Sequence, residues 1–156
     1  MERSLAIIKP DAVARRLVGE IVRRFERKGL TLRAMKLMTI TEQQARRNYA
    51  IHEGKPFYEP LVRFMTSGPV VAMVLEGQGA IAVVRAMLGA TFGPDAAPGT
   101  IRGDLGMSKR YNLVHASDSP ERAAFEADIF FDESEFVDYT PPDLAQVYDM
   151  TGEEIV

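Results

Sequence analysis

The 156-residue chain contains no cysteine. That excludes a disulfide framework, a thiolate metal site and a cysteine nucleophile. Long apolar runs are missing as well. No stretch approaches the roughly 20 apolar residues that cross a bilayer. The N-terminal run Leu5 to Ile8 is far shorter than the apolar region of a signal peptide and is closed by Lys9 and Pro10. A soluble, cytoplasmic protein without a membrane partner is therefore expected. No repeat or low-complexity segment is visible, and there is neither a Walker A motif nor the glycine-rich loop of protein kinases. Histidine is scarce, with His52 and His115 alone.

What remains reads as one domain over residues 1–156. A chain of this length buries roughly 70% of its unfolded surface, enough for one core. The net charge of −3 hides an asymmetry. Of 19 basic residues, 12 precede Ile51; of 22 acidic residues, 12 follow His115, opposed there by Arg122 alone. A basic half could bind polyanions. However, Arg15, Arg16, Arg23, Arg24, Arg27 and Lys28 read as one solvated helix face. No aromatics are interleaved with them as single-strand binding requires. Nucleic acid is not expected as the primary partner.

Apolar spacing supplies the elements. Ser4 to Lys9 is a short buried strand ended by Pro10. Leu17, Val18, Ile21, Val22 and Phe25 recur at helical spacing up to Gly29. Leu30 to Met38 alternates as a second strand. Thr41 and Gln44 form a capping-box pattern for a helix running towards Gly54. Pro56 opens another helical stretch, stopped by Gly68-Pro69. Val70 to Leu75 is a strand, Gly79 to Leu88 a helix and Leu113 to Ala116 a short strand. Ser119-Pro120-Glu121 opens a last helix by cap, first-turn proline and first-turn acid, with Ala124 and Phe125 on its apolar face.

This order predicts an α+β, ferredoxin-like βαββαβ unit: an antiparallel sheet covered on one face by helices, with a helical pair inserted between the second and third strands. Gly89 to Tyr111 fits no element. A loop of about 20 residues inside a compact domain is normally functional or disordered. Its Thr91, Thr100, Arg102, Asp104, Ser108, Lys109 and Arg110 fit closure over an anion.

His52 sits at a polar helix end and reads as an ordinary surface residue. His115 ends an apolar strand just before a helix N-terminus, where amides attract phosphate oxygens. An imidazole with an ordinary pKa of about 6.5 is largely neutral and nucleophilic near pH 7. A covalent intermediate divides a difficult transfer into two easier steps. Phosphoryl transfer also needs converging cations, and Lys9, Arg85 and Arg102 are candidates. The residues by themselves allow an anion site on a ferredoxin-like domain but name no reaction.

The segment Asn112-Leu-Val-His115-Ala-Ser-Asp-Ser119 closely resembles the active-site signature of nucleoside diphosphate kinases. AIIKPDAV at Ala6 to Val13, Tyr49, KPF at Lys55 to Phe57, RAMLGAT at Arg85 to Thr91, PGTIRGD at Pro98 to Asp104 and the spacing to Glu126 resemble the same family, in family order. The resemblance implies transfer of the γ-phosphate of a nucleoside triphosphate, mainly ATP, to a nucleoside diphosphate. It further implies a ping-pong mechanism through a phosphohistidine, maintaining NTP and dNTP pools. His115 matches the phosphorylated histidine, Glu126 the carboxylate orienting it and Ser117 the support of that carboxylate. Lys9 matches the lysine that neutralises the transferring phosphate, with Tyr49 near it. Arg85, Thr91 and Arg102 match residues holding the other phosphates, Phe57 the aromatic under the base, and Asn112 a contact to the sugar.

Stacking is worth about 1–3 kcal/mol whatever the base, so purines and pyrimidines should both be accepted. Mg2+ is expected to ride on the nucleotide phosphates with its waters. No protein metal ligand is named, although Asp118 lies near enough to help through water. Ala12 and Ala116 stand where the family more often has glycine, and Met107 to Tyr111 is more basic than in many members. The family assembles as hexamers or tetramers. The continuation from about residue 140 through Pro141-Pro142 to Tyr148 resembles the tail that lies against a neighbouring subunit in hexameric members, so a hexamer is favoured.

Two rival readings remain: a non-catalytic nucleotide-binding ferredoxin-like domain, and a nucleic-acid-binding protein. Binding alone would not require Lys9, Arg102, His115 and Glu126 together. Nucleic-acid binding would give a salt-sensitive affinity that survives loss of His115.

Overall fold

The computed structural model describes residues 1–150. The chain runs β1 (Glu2–Ile8), α1 (Pro10–Ala14), α2 (Val18–Arg27), β2 (Thr31–Thr39), α3 (Glu42–Asn48), α4 (Tyr58–Met65), β3 (Pro69–Gly77), α5 (Ala80–Leu88), α6 (Ile101–Leu105), β4 (Val114–Ala116), α7 (Pro120–Phe130) and α8 (Leu144–Val147). The four strands form one antiparallel sheet in the order β2-β3-β1-β4. This is the ferredoxin-like arrangement expected from the alternation of elements.

The strands at the centre are apolar without a break because both of their faces are buried. Ala6, Ile8, Val71, Met73 and Leu75 point to one face and pack under α1, α2, α5 and α6 through Ala12, Phe25, Val84 and Ile101. Leu5, Ile7, Val70, Ala72 and Val74 point to the other and pack under α3, α4 and α7 through Ala45, Val62, Ile129 and Phe130. The expectation of helices on one face is thereby corrected. The inserted α3–α4 pair and the last helix cover the second face, and neither could bury its apolar side elsewhere. Full burial of a side chain such as Phe25 contributes about 2–3 kcal/mol.

Caps place several boundaries. Thr41 and Gln44 form the reciprocal capping box at 3.0 and 3.2 Å. Ser119 Oγ accepts from Arg122 N–H at 3.1 Å, with Pro120 in the first turn. Other expectations need correction. The first strand ends at Ile8, and Pro10, with its preset φ and absent N–H, opens α1. The third helix ends at Asn48 and passes into a 3-10 turn over Ala50–His52 instead of reaching Gly54. On α7 the inward face is Ala123, Glu126, Ile129 and Phe130. Ala124 and Phe125 face outward, and the Phe125 ring lies between the guanidinium groups of Arg47 and Arg122 at 5.3 and 4.9 Å.

The segment from Gly89 to Tyr111 is also more ordered than its composition implies. It holds a 3-10 turn over Gly93–Asp95 and the helix α6, capped by Thr100. Five residues are too few to show a helical period. Two of its glycines permit close backbone packing: a Cβ on Gly93 would meet the Gly106 carbonyl, and one on Gly103 would meet that of Ala97. From Tyr139 to Tyr148 the chain returns along its own fold. Tyr148 Oη lies 3.3 Å from the Gln78 N–H, which donates to it.

Candidate active site

The β1–β4 ladder sets the site. Ile7 is paired directly with His115. Residues opposite one another in an antiparallel pair project to the same face, so the imidazole emerges on the side of α3, α4 and α7. The turn into β4 is strained. Leu113 adopts φ 70°, a left-handed conformation that costs a non-glycine residue about 1–2 kcal/mol. Its N–H donates to Asp11 Oδ2 at 3.2 Å, and its carbonyl accepts from the Lys9 N–H at 2.8 Å. The entry to β4 is thus tied to the entry of α1.

A cleft of about 1170 Å3 opens over this junction, between the α3–α4 connection and the 89–111 segment. Lys9, Tyr49, Phe57, Arg85, Thr91, Arg102, Asn112, His115 and Glu126, all singled out in the sequence, line it together. Ser117 lies behind them. Its hydroxyl donates to Glu126 Oε2 at 2.6 Å and stands 3.5 Å from the Leu5 carbonyl.

Glu126 is 2% exposed. Its Oε2 lies 2.9 Å from His115 Nε2, and its Oε1 accepts from Arg122 at 2.8 Å. Burial by itself would raise this carboxyl. The hydrogen bond and charge of His115, with the bonds from Ser117 and Arg122, outweigh it and hold the group below the usual carboxylate range. An ionised carboxylate only accepts, so His115 Nε2 carries the proton and the lone pair lies on Nδ1. The Tyr49 ring stands edge-on to the imidazole at 5.6 Å and 86°. Burial, together with the charge of Glu126, pushes the Tyr49 hydroxyl up and keeps it neutral.

Cations dominate the opposite wall. Lys9 is 7% exposed and donates from Nζ to Asn112 Oδ1 at 2.7 Å. Burial and then the charge of Arg102 bring its pKa down to about 8, against a smaller opposing effect of Asp11. The Arg102 guanidinium donates to four backbone carbonyls, those of Asn112, Gly89, Ala90 and Val114, at 2.6–3.4 Å. Burial and the charge of Arg85 lower it to about 10. Among the described residues neither Lys9, Arg85 nor Arg102 has a carboxylate within 4.0 Å. Lys9 and Arg102 are buried and Arg85 is exposed; cations without counter-ions on one wall form a standing site for a polyanion. At the far end Phe57 is 50% exposed, with the Lys55 ammonium 5.7 Å from its ring centroid.

The sequence from residue 2 to residue 136 matches the family model described as nucleoside diphosphate kinase. The chain belongs to the nucleoside diphosphate kinase family. It is 54% identical over 138 residues to the nucleoside diphosphate kinase of Staphylothermus marinus, covering 88% of this chain and 98% of the relative. It is 58% identical over 139 residues to that of Halalkalibacterium halodurans, covering 89% and 95%. A solved structure of a halophilic nucleoside diphosphate kinase from Halobacterium salinarum in complex with CDP is similar at TM-score 0.92 and 49% identity, covering 95% and 99%.

Within this nucleoside diphosphate kinase fold several contacts are not evident from the sequence. Arg122 had stood out only as the lone base of an acidic stretch, although its i, i+4 spacing to Glu126 is a sequence-level sign of a helix ion pair. Asp11 lies within the family-like AIIKPDAV segment, but nothing in the sequence points to its bond with the Leu113 N–H. His52, read as a surface residue, lines the cleft with its ring 5.2 Å from Phe57. Burial, then the charge of Lys55, lowers its pKa. Asp118 lines the cleft as an exposed carboxylate. No group of three or more His, Cys, Asp or Glu side chains that could hold a metal occurs among the described residues, and no helix there is long and apolar enough to cross a membrane.

Proposed function

We propose that His115 carries the phosphoryl group in a ping-pong exchange between nucleoside triphosphates and diphosphates. Family membership makes the chain a phosphotransferase acting between nucleotides. The observation that carries the role of His115 is the 2.9 Å bond from its Nε2 to a buried, ionised Glu126. With Nε2 held, Nδ1 attacks the γ-phosphorus along the line of the departing diphosphate. The N–P bond forms as the P–O bond breaks, and the diphosphate leaves with the electron pair. An acceptor diphosphate then reverses the step, and the imidazole regains its lone pair.

Lys9 neutralises the transferring group, and Arg85, Thr91 and Arg102 hold the other phosphates. Their charge is preorganised, since Arg102 is fixed by backbone carbonyls before any ligand arrives. Ser117 holds Glu126, and Asn112 aligns the Lys9 ammonium and reaches the sugar. Phe57 stacks the base without reading its edges, so base identity matters little, and ATP is the main donor. The exposed carboxylate of Asp118 would contact a nucleotide-borne Mg2+ through water, and that ion would supply charge neutralisation on the phosphates.

The chain is a single domain over residues 1–156 that works in the cytoplasm as a homo-oligomer, a hexamer by preference, with the segment from about residue 140 against a neighbour. A light-scattering mass near four subunits would contradict the hexamer. The site is tested with γ-labelled ATP and no acceptor. Acid-labile, alkali-stable label is expected on the protein, removed by any nucleoside diphosphate. Wild-type protein that takes up no label, or a His115→Ala variant that labels equally well, refutes the mechanism.

A further inference from the structure

Arg122 is absent from the roles assigned above, yet it holds the buried carboxylate on the side away from the histidine. Its guanidinium donates to Glu126 Oε1 and to the Asn48 carbonyl, each at 2.8 Å. Asn48 closes α3 and directly precedes Tyr49, whose ring edge meets the imidazole. One side chain therefore ties both walls that flank His115. The two oxygens of Glu126 are divided: Oε2 serves His115 and Ser117, and Oε1 serves Arg122. The guanidinium is only partly exposed and reaches the cleft.

We propose that Arg122 is a positioning residue that sets the nucleophile's strength: by drawing charge to Oε1 it makes the His115–Glu126 pair a weaker electron donor at Nδ1. The inference rests on His115 being the phosphoryl carrier. Its physical content is a balance between the half-reactions. An imidazole backed by an undivided carboxylate donates more strongly, forms a stronger N–P bond and releases the phosphoryl group less readily. One whose carboxylate is shared with a cation is a better leaving group. Charge-assisted bonds of this kind couple strongly in a low-dielectric pocket. The enzyme must load and unload at comparable ease, and sharing Glu126 moves it away from over-stable loading.

The other charged or titratable groups around the pair are Lys9 after β1, Tyr49 and His52 after α3, Arg102 on α6 and Asp118 before α7. None of these makes a hydrogen bond to Glu126 in the described structure, so Arg122 is the cation whose removal acts on the carboxylate directly.

The test compares wild type with Arg122→Met, which keeps the apolar stem but loses charge and donors, and with Arg122→Lys, which restores the charge. Protein is equilibrated with set ratios of ATP and ADP, and the phosphorylated fraction is read. For Arg122→Met the equilibrium constant for phosphoenzyme formation should rise about threefold to tenfold, and chase by a diphosphate should slow by a similar factor. The acid limb of its loading rate should move to higher pH by about 0.5–1 unit. Arg122→Lys should return each value towards wild type. A folded Arg122→Met variant with an unchanged equilibrium constant and pH profile, whatever its melting temperature, makes Arg122 a staple between α3 and α7 and overturns the proposal. A constant that falls also overturns it, since the guanidinium would then be acting on the phosphoryl group itself. Absence of any phosphoenzyme in wild type defeats the His115 mechanism instead, so the two failures are distinct.

Discussion

The ammonium of Lys9 donates to the Asn112 side-chain oxygen at 2.7 Å, a contact across 103 positions of chain that leaves a buried cation with a neutral partner. A lysine held at about pKa 8 by burial and by Arg102 is near half-protonated at pH 8. An arriving polyphosphate favours the charged form and raises the pKa. Nucleotide binding at pH 8 should therefore take up about half a proton. Calorimetry in two buffers of different ionisation enthalpy measures this. The uptake should disappear in Lys9→Met, and proton release on binding would contradict the assignment.

Glu126→Ala should lower turnover by about a hundredfold without abolishing phosphoenzyme, because His115 remains but loses its orienting partner. Complete loss of labelling in folded protein would show that the carboxylate does more than orient. A pH signature accompanies this. The folded Glu126 carboxyl lies below its ordinary value of 4.5. The folded state thus binds fewer protons than the unfolded one between these values. The contribution to stability is fully present above about pH 4.5 and is lost as pH falls through the folded value. The acid arm of the stability curve should be shallower in the variant, as read by urea denaturation from pH 3 to 6.

Phe57 is half exposed and supports no core, so Phe57→Ala should leave the melting temperature nearly unchanged. Substrate affinity should weaken by the stacking energy, ~1–3 kcal/mol, similarly for purine and pyrimidine nucleotides. Steady-state KM values for four diphosphates check this. A loss confined to one base class would mean that the site reads base edges.

Glu76 accepts from Arg33 at 2.7 Å and from Arg3 at 2.8 Å on the β3 strand, with Arg33 and Glu76 both largely buried. Truncation to alanine leaves the Arg33 charge without this partner in a partly dry setting. A loss of about 3 kcal/mol in unfolding free energy is expected, with turnover per folded molecule unchanged. A loss below about 0.5 kcal/mol would show that water replaces the pair at no cost.

Much of this was legible in the chain itself. The apolar runs of β1 and β3 announced buried strands, though not that helices cover both of their faces, and Thr41 with Gln44, and Ser119 with Pro120, announced two helix starts. Those signals are local, so they survive without knowledge of the fold. The helix α6 escaped because five residues do not complete enough turns to reveal a period. The inward face of α7 was misread because Glu126, a charged residue, occupies a core position that apolar patterning assigns to its neighbour Phe125.

The sequence by itself determined the inventory and its order: a histidine at a strand end, a loop before it that carries Arg102, Lys109 and Arg110, and family motifs running from Ala6 to Glu126. Only the tertiary structure decided how these meet. The pairing of Ile7 with His115 brings Lys9 to the phosphoryl carrier, and the packing of α7 on the second sheet face brings Glu126 beneath it. The proton affinity of Lys9 follows from desolvation and from the charge of Arg102, and the tautomer of His115 from its bond to Glu126 on another element. Such terms depend on distance in space, which no local pattern of residues encodes.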